Sequence, residues 1–204
     1  LYDQAITSFA RSGYWDDVER RFPLAFNDVF SEKSQAYSIS KSLAMAIARR
    51  ESSFRSDAIS PVGAAGLMQL MPGTARYVAK EKVSRSELFK VNDNVEYGVQ
   101  YIRYLMDKLN NNPVLVSASY NAGWRKVLEW LPANESLPVD IWIENIPYKE
   151  TRAYVKAVMA YQHIYDQQLG GNENVFPQLT RDMIPSADAV STHPVTGTLQ
   201  LAPR

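Results

Sequence analysis

Ser40-Lys41-Ser42-Leu43-Ala44-Met45-Ala46-Ile47-Ala48-Arg49-Arg50-Glu51-Ser52-Ser53 is the stretch on which the reading turns. Ser40 is a candidate N-cap, and Leu43, Ala44, Ile47 and Ala48 recur at helical spacing. Stepping on from Leu43 and Ile47 by the same spacing lands on Glu51. A carboxylate therefore stands where the apolar side of the helix continues, in its last turn. Burial there disfavours the charged form, and the negative end of the helix dipole pushes the same way. Both effects favour a glutamate that holds its proton near neutral pH, as a general acid must. The plainer alternative is a helix-end glutamate paired with Arg49, Arg50 or Arg55.

Outward from this helix the chain reads as mainly α. Upstream, residues 3–12, 14–21 and 24–30 form short helical patterns separated by Gly13 and Pro23. Downstream, a loop holding Pro61, Gly63 and Gly66 leads to Pro72, and Thr74 can cap a helix to about Lys80. Asn92 or Asp93 can cap a long helix to about Leu109. Pro113 suits the first turn of a helix that stops near Asn121, before Gly123. Short helices follow over 124–131 and 140–145, then a long one over 149–169 closed by Gly170-Gly171. These patterns give three expected units. Residues 1–37 are a helical linker or the tail of an upstream helical domain, 38–169 a compact unit, and 170–204 an extended tail without a helical stripe.

Composition narrows the function classes. With 204 residues and 46% apolar content, the chain is long enough for one medium domain with a real core. Its formal net charge of zero does not point to nucleic acid or an anionic membrane surface. The absence of cysteine excludes disulfides, thiolate metal sites and cysteine nucleophiles. His163 and His193 have no partner at metal-ligand spacing, so neither metal nor cofactor is expected. No run reaches the ~18 apolar residues that span a bilayer. The start, Leu1-Tyr2-Asp3, has no signal-peptide pattern and reads as a mature protein or a piece of a longer one. The 12 Tyr and 4 Trp suit contacts with sugar faces, although each also serves as core filler.

Four words stand in order along the chain, the first of them inside the stretch already quoted. Glu51-Ser52 is followed by Ser60-Pro61-Val62-Gly63-Ala64-Ala65-Gly66-Leu67-Met68-Gln69-Leu70-Met71-Pro72. Then come Ser119-Tyr120-Asn121-Ala122-Gly123 and Glu144-Asn145-Ile146-Pro147-Tyr148-Lys149-Glu150-Thr151-Arg152-Ala153-Tyr154-Val155. In order and spacing these words resemble the catalytic domain of soluble lytic transglycosylases, over about residues 38–169. Trp15, Arg20-Arg21 and Phe22-Pro23-Leu24-Ala25-Phe26 are similar to the linker that precedes it in the large periplasmic members.

The resemblance implies a lysozyme-like helical fold with a groove for glycan, a periplasmic location, and peptidoglycan strands as partner, with other cell-wall enzymes as possible companions. It places the catalytic acid on Glu51 and an assisting tyrosine on Tyr120. It implies substrate contacts at Ser60, Met68, Gln69, Asn121 and Glu144. Each has a plainer reading: a core tyrosine for Tyr120, a loop cap for Ser60, core filler for Met68, loop backbone bonding for Gln69, and an ion pair for Glu144, with Arg152 a candidate partner. Most glycosidases flank the bond with two carboxylates. The words offer Glu51 no such companion: Asp57 reads as a solvated turn residue, and Glu144, the better candidate, is assigned to sugar binding by the resemblance. The resemblance therefore implies a substrate-assisted reaction in which Glu51 acts as acid and then as base, giving a 1,6-anhydro product. The rivals are a hydrolytic muramidase of goose-type lysozyme character and a non-catalytic glycan-binding module.

Overall fold

A computed structural model describes residues 2–12, 17–171 and 183–190. Among them the chain forms eleven α-helices and one two-residue strand pair. The predicted helix of the opening stretch is α4, Lys41–Ser52, and the Ser40 side chain caps it by accepting from the Leu43 N–H. The expectation of a single apolar stripe is too modest. Every residue from Ser42 to Ala48 is buried, so α4 is covered on its whole circumference. Three alanines among them let neighbouring helices approach, while Leu43, Met45 and Ile47 are fully enclosed. Each such side chain contributes about 1.5–3 kcal/mol by leaving water.

The helices that cover α4 are α3 (Asn27–Ala36), α6 (Val91–Lys108) and above all α10 (Lys149–Gln168). α7 (Pro113–Ala122) packs on α6 and α10, and α5 (Pro72–Ala79) on α6. α8 (Trp124–Glu129) leans on α7, and α9 (Val139–Glu144) on α10. Upstream lie α1 (Tyr2–Ser12) and α2 (Val18–Arg21).

Several boundaries differ from the sequence expectation. α3 begins at Asn27 and runs to Ala36, whereas 24–30 was expected. Phe26 takes a left-handed conformation (φ 52°) and the Ala25 N–H turns back to the Pro23 carbonyl, so the helix starts only afterwards. Its second half continues on polar residues because small Ser34 is itself buried. α5 opens three residues early, its cap at Met71 and not at Thr74, because Pro72 occupies its first turn, where a missing N–H costs nothing. In the predicted tail, residues 183–190 dock rather than trail. β2 (Met183–Ile184) pairs antiparallel with β1 (Leu137–Pro138), burying Ile184, and α11 (Ala187–Val190) follows. His193 and Trp15 lie outside the described residues.

The segment before α4 joins the same core. Phe22 sits edge-on to Tyr161 and Tyr165 of α10, and the Arg49 guanidinium lies over Phe22 and Tyr161. Arg49 also donates to the Arg21 carbonyl and to the Ser53 hydroxyl. Burial holds its pKa below the usual arginine value.

Candidate active site

The end of α4 is shaped by two successive left-handed residues, Ser53 (φ 55°) and Phe54 (φ 64°). They turn the chain sharply and drive Phe54 into the core against Phe30 and Tyr165. Ser52 then ties the helix end to the loop that follows. Its hydroxyl donates to the Leu67 carbonyl (2.7 Å) and accepts from the Arg55 N–H (2.9 Å). Glu51, one residue earlier, is left half-buried at the wall of a cleft of about 740 Å³. Its Oε1 accepts a hydrogen bond of 2.8 Å from the Tyr154 hydroxyl on α10. Arg50, beside it in sequence, places its guanidinium over the Tyr154 ring, 5.4 Å from the centroid.

The facing wall is the 58–71 loop. It folds as a tight ladder, with Ala65 bridging both Ile59 and Leu70. A fully buried Asn94 on α6 clamps it. Its Oδ1 accepts from the Met68 N–H (2.7 Å), and its Nδ2 donates to the carbonyls of Ala65 (3.1 Å) and Leu88 (2.8 Å). Gly66 is required beside this clamp. It has φ 78°, and a Cβ there would lie 2.0 Å from the Leu88 oxygen.

The predicted site residues divide into two groups. Glu51, Ser60, Gln69 and Asn121 all line the one cleft. Ser60 also caps its own loop, its hydroxyl accepting from the Ala64 N–H (3.0 Å). Gln69 donates to the carbonyls of Gly66 (2.7 Å) and Ala58 (3.1 Å), so the loop-bonding reading and the cleft position hold together. Asn121 accepts from the Thr151 hydroxyl (2.7 Å), joining α7 to the start of α10.

Tyr120, Met68 and Glu144 fall outside the cleft lining. Tyr120 is buried, packs on Tyr101, and donates its hydroxyl to the Met68 carbonyl (2.9 Å). It therefore braces the loop behind the cleft. Met68 is fully buried with its sulfur against Gly98, as the core-filler alternative holds. Glu144 pairs with Lys156, not Arg152, and lines a separate shallow cleft with Asp140, Ile141 and Asn145. Arg152 instead donates to the Ile146 carbonyl.

Sequence reasoning missed the residues that α8 and α10 bring to the cleft: Lys126, Lys149, Glu150, Thr151 and Tyr154. Lys126 pairs with Glu129 at 2.7 Å, and that bond raises its pKa. Tyr154 stood inside a quoted word, but there it read only as part of an apolar helix face. Among the described residues no three His, Cys, Asp or Glu side chains gather as a metal site.

Two family descriptions match this chain: "Transglycosylase SLT domain" over residues 28–143, and "Soluble lytic transglycosylase helical domain" over 145–174. The soluble lytic murein transglycosylase of Salmonella typhimurium is 40% identical over 84% of this chain and 28% of its own length. The Escherichia coli protein of the same name is 40% identical over 83% of the chain and 27% of its own length. Among solved structures, an inactive mutant of lytic transglycosylase Slt from Pseudomonas aeruginosa matches with TM-score 0.81 and 40% identity, covering 84% of this chain and 29% of that one. The 70 kDa soluble lytic transglycosylase from Escherichia coli matches with TM-score 0.79 and 36% identity, over 88% of this chain and 29% of that one. The chain thus spans less than a third of the length of each of these four relatives.

Proposed function

The chain belongs to the SLT transglycosylase domain family, and on that premise we propose that it cuts peptidoglycan glycan strands with Glu51 as the acid and then the base. The carrying observation is the half-buried carboxyl of Glu51, at the wall of the cleft and held by Tyr154. A carboxylic acid there protonates the glycosidic oxygen between N-acetylmuramic acid and N-acetylglucosamine, and the bond to the anomeric carbon breaks. The 2-acetamido carbonyl of the muramyl sugar stabilises the cation that develops. Ionised Glu51 then takes the proton of the same sugar's 6-hydroxyl, whose oxygen closes on the anomeric carbon as a 1,6-anhydro ring. The attacking hydroxyl is part of the substrate, so its effective concentration exceeds that of water. Tyr154 steadies the carboxyl through both transfers. Ser60, Gln69 and Asn121 are proposed as sugar contacts, with Tyr120 as a brace of the loop. Glu144 contacts the strand only if it reaches beyond the Glu51 cleft.

In this reading residues 38–169 are the catalytic unit, with 1–37 as the helical segment before it and 170–204 as the segment after it, of which 183–190 dock on β1. The substrate sets the location, the periplasm, where partnership with other cell-wall enzymes follows. No helix among the described residues is long and apolar enough to cross a membrane.

One observation favours a second reading. Glu150 lines the same cleft as Glu51, so a water-activating second carboxylate is at hand. It stands exposed in the first turn of α10, open to a water in the cleft. The test is to compare Glu51→Gln with Glu150→Gln on purified sacculi. The proposal expects clearing to vanish in the first and persist in the second. Clearing by Glu51→Gln overturns it, and loss in both variants favours the hydrolytic pair.

A further inference from the structure

Arg49 stands two residues before Glu51 on α4 and has no carboxylate partner among the described residues. A desolvated guanidinium without an anion is costly, so other groups must hold it. Two aromatic rings and two oxygens do. Its guanidinium lies 5.4 Å from the Phe22 ring centroid and 5.3 Å from that of Tyr161. Its Nε donates to the Arg21 carbonyl (3.4 Å) and its Nη1 to the Ser53 hydroxyl (3.1 Å). Ser53 is the left-handed cap of α4, and its own N–H returns to the Arg49 carbonyl (3.2 Å). Residues 49 and 53 are therefore tied twice, by main chain and by side chain, around the turn that carries Glu51. A serine with φ 55° is disfavoured without such a hold.

One face of α10 serves this whole helix end. Tyr154, Tyr161 and Tyr165 are spaced by seven and four residues, which puts them on one stripe. Tyr154 holds the Glu51 carboxyl, Tyr161 lies against Arg49, and Tyr165 meets Phe54 just past the turn. Phe22, buried and belonging to the segment before α4, closes edge-on over Tyr161 and Tyr165. Neither Arg49 nor Phe22 lines the Glu51 cleft, so each can act there only through other residues.

We propose that Arg49 is a positioning residue: clamped by Phe22, it fixes the left-handed turn after α4 and so keeps the Glu51 carboxyl on the Tyr154 hydroxyl. The segment before the catalytic unit is thereby a working part of the site. This rests on the reading of Glu51 as the acid.

The experiment measures initial rates of cutting of soluble peptidoglycan fragments by the full chain over a range of concentrations. Arg49→Met keeps a long side chain and removes its charge and donors. It is expected to lower kcat about tenfold and to leave KM within about twofold, because the lost geometry matters at proton transfer and not at binding. Arg49→Lys restores a cation over the rings and a donor for Ser53, and is expected to bring kcat back to within about threefold of the parent. Phe22→Leu, which takes one ring from Arg49, is expected to lower kcat with KM likewise held. In a Tyr154→Phe background Arg49→Met is expected to cost about twofold or less, since the bond it steadies is already gone. A merely structural role lowers the rate by the same factor in both backgrounds. Thermal unfolding of each variant sets an assay temperature at which all are folded. If Arg49→Met does not fold, Ser53→Ala, which removes only the acceptor of Nη1, carries the same comparison. The proposal is overturned, and the glycan reading left standing, by an unchanged kcat in Arg49→Met or Phe22→Leu, by no recovery in Arg49→Lys, or by losses that multiply with Tyr154→Phe. Cutting by a Glu51→Gln control at the parent rate fells the reading itself.

Discussion

Asn94→Ala is expected to be among the most damaging single changes outside the cleft. The Asn94 side chain is fully buried and makes three hydrogen bonds of 2.7, 2.8 and 3.1 Å. Truncation leaves the Met68 N–H and the Leu88 carbonyl without that partner in a buried place. The Ala65 carbonyl fares better, because it also accepts from the Leu70 N–H. Each buried group left unpaired costs about 1–3 kcal/mol, so two such groups and a small cavity cost about 3 kcal/mol. For a chain of this size each kcal/mol lowers Tm by about 2–4 °C, giving a fall near 10 °C. Helical circular dichroism followed through thermal unfolding measures it directly. Clearing of sacculi by the folded variant is also expected to weaken, since Gln69 and Ser60 ride on the loop that Asn94 clamps. A Tm drop below about 2 °C would mean that the clamp is replaceable and that the loop holds itself.

Three other outcomes follow from the same geometry. Tyr154→Phe removes the O–H that the Glu51 carboxyl accepts while keeping the ring. The rate of strand cutting is expected to fall about tenfold, with stability within about 1 kcal/mol of the parent by urea titration; an unchanged rate would remove Tyr154 from the proposed machinery. Gly66→Ala forces a Cβ into the Leu88 carbonyl at a positive φ, and it is expected to cost at least about 2 kcal/mol in the same titration. Tyr165 has a buried hydroxyl with no hydrogen-bond partner among the described residues, and burial raises its pKa. The folded value lies above the unfolded one, so this contribution is whole below about pH 10 and is lost as pH climbs toward the folded pKa. Tyr165→Phe is expected to keep Tm at neutral pH and to lift it in alkali; a lowered neutral Tm would show that the hydroxyl has a partner after all.

The main helices were legible because their signals are local. Ser40, Pro113 and Gly123 mark helix ends that the structure places within a residue or two, and the periodicity of α6 and α10 is sustained over many turns. The α3 boundary was not, because a left-handed Phe26 leaves no trace in the sequence. The β1–β2 pair is two residues deep and joins positions 45 and 47 apart, beyond any periodicity. Glu51 stood out as a charge on an apolar face. Its partner Tyr154 did not, since a tyrosine on an apolar helix face reads as core until the helices are packed. Asn94 was hidden for a similar reason: it follows the candidate caps Asn92 and Asp93, and nothing in the sequence shows that its side chain turns inward to the loop.

The central claim is that the oxygen closing on the anomeric carbon comes from the sugar and not from solvent. Digestion of sacculi in oxygen-18 water, followed by mass analysis of the released muropeptides, tests it most directly. Products one water lighter than reducing-end muropeptides and free of the heavy isotope are expected. Muropeptides of full mass bearing oxygen-18 at the new reducing end would contradict it.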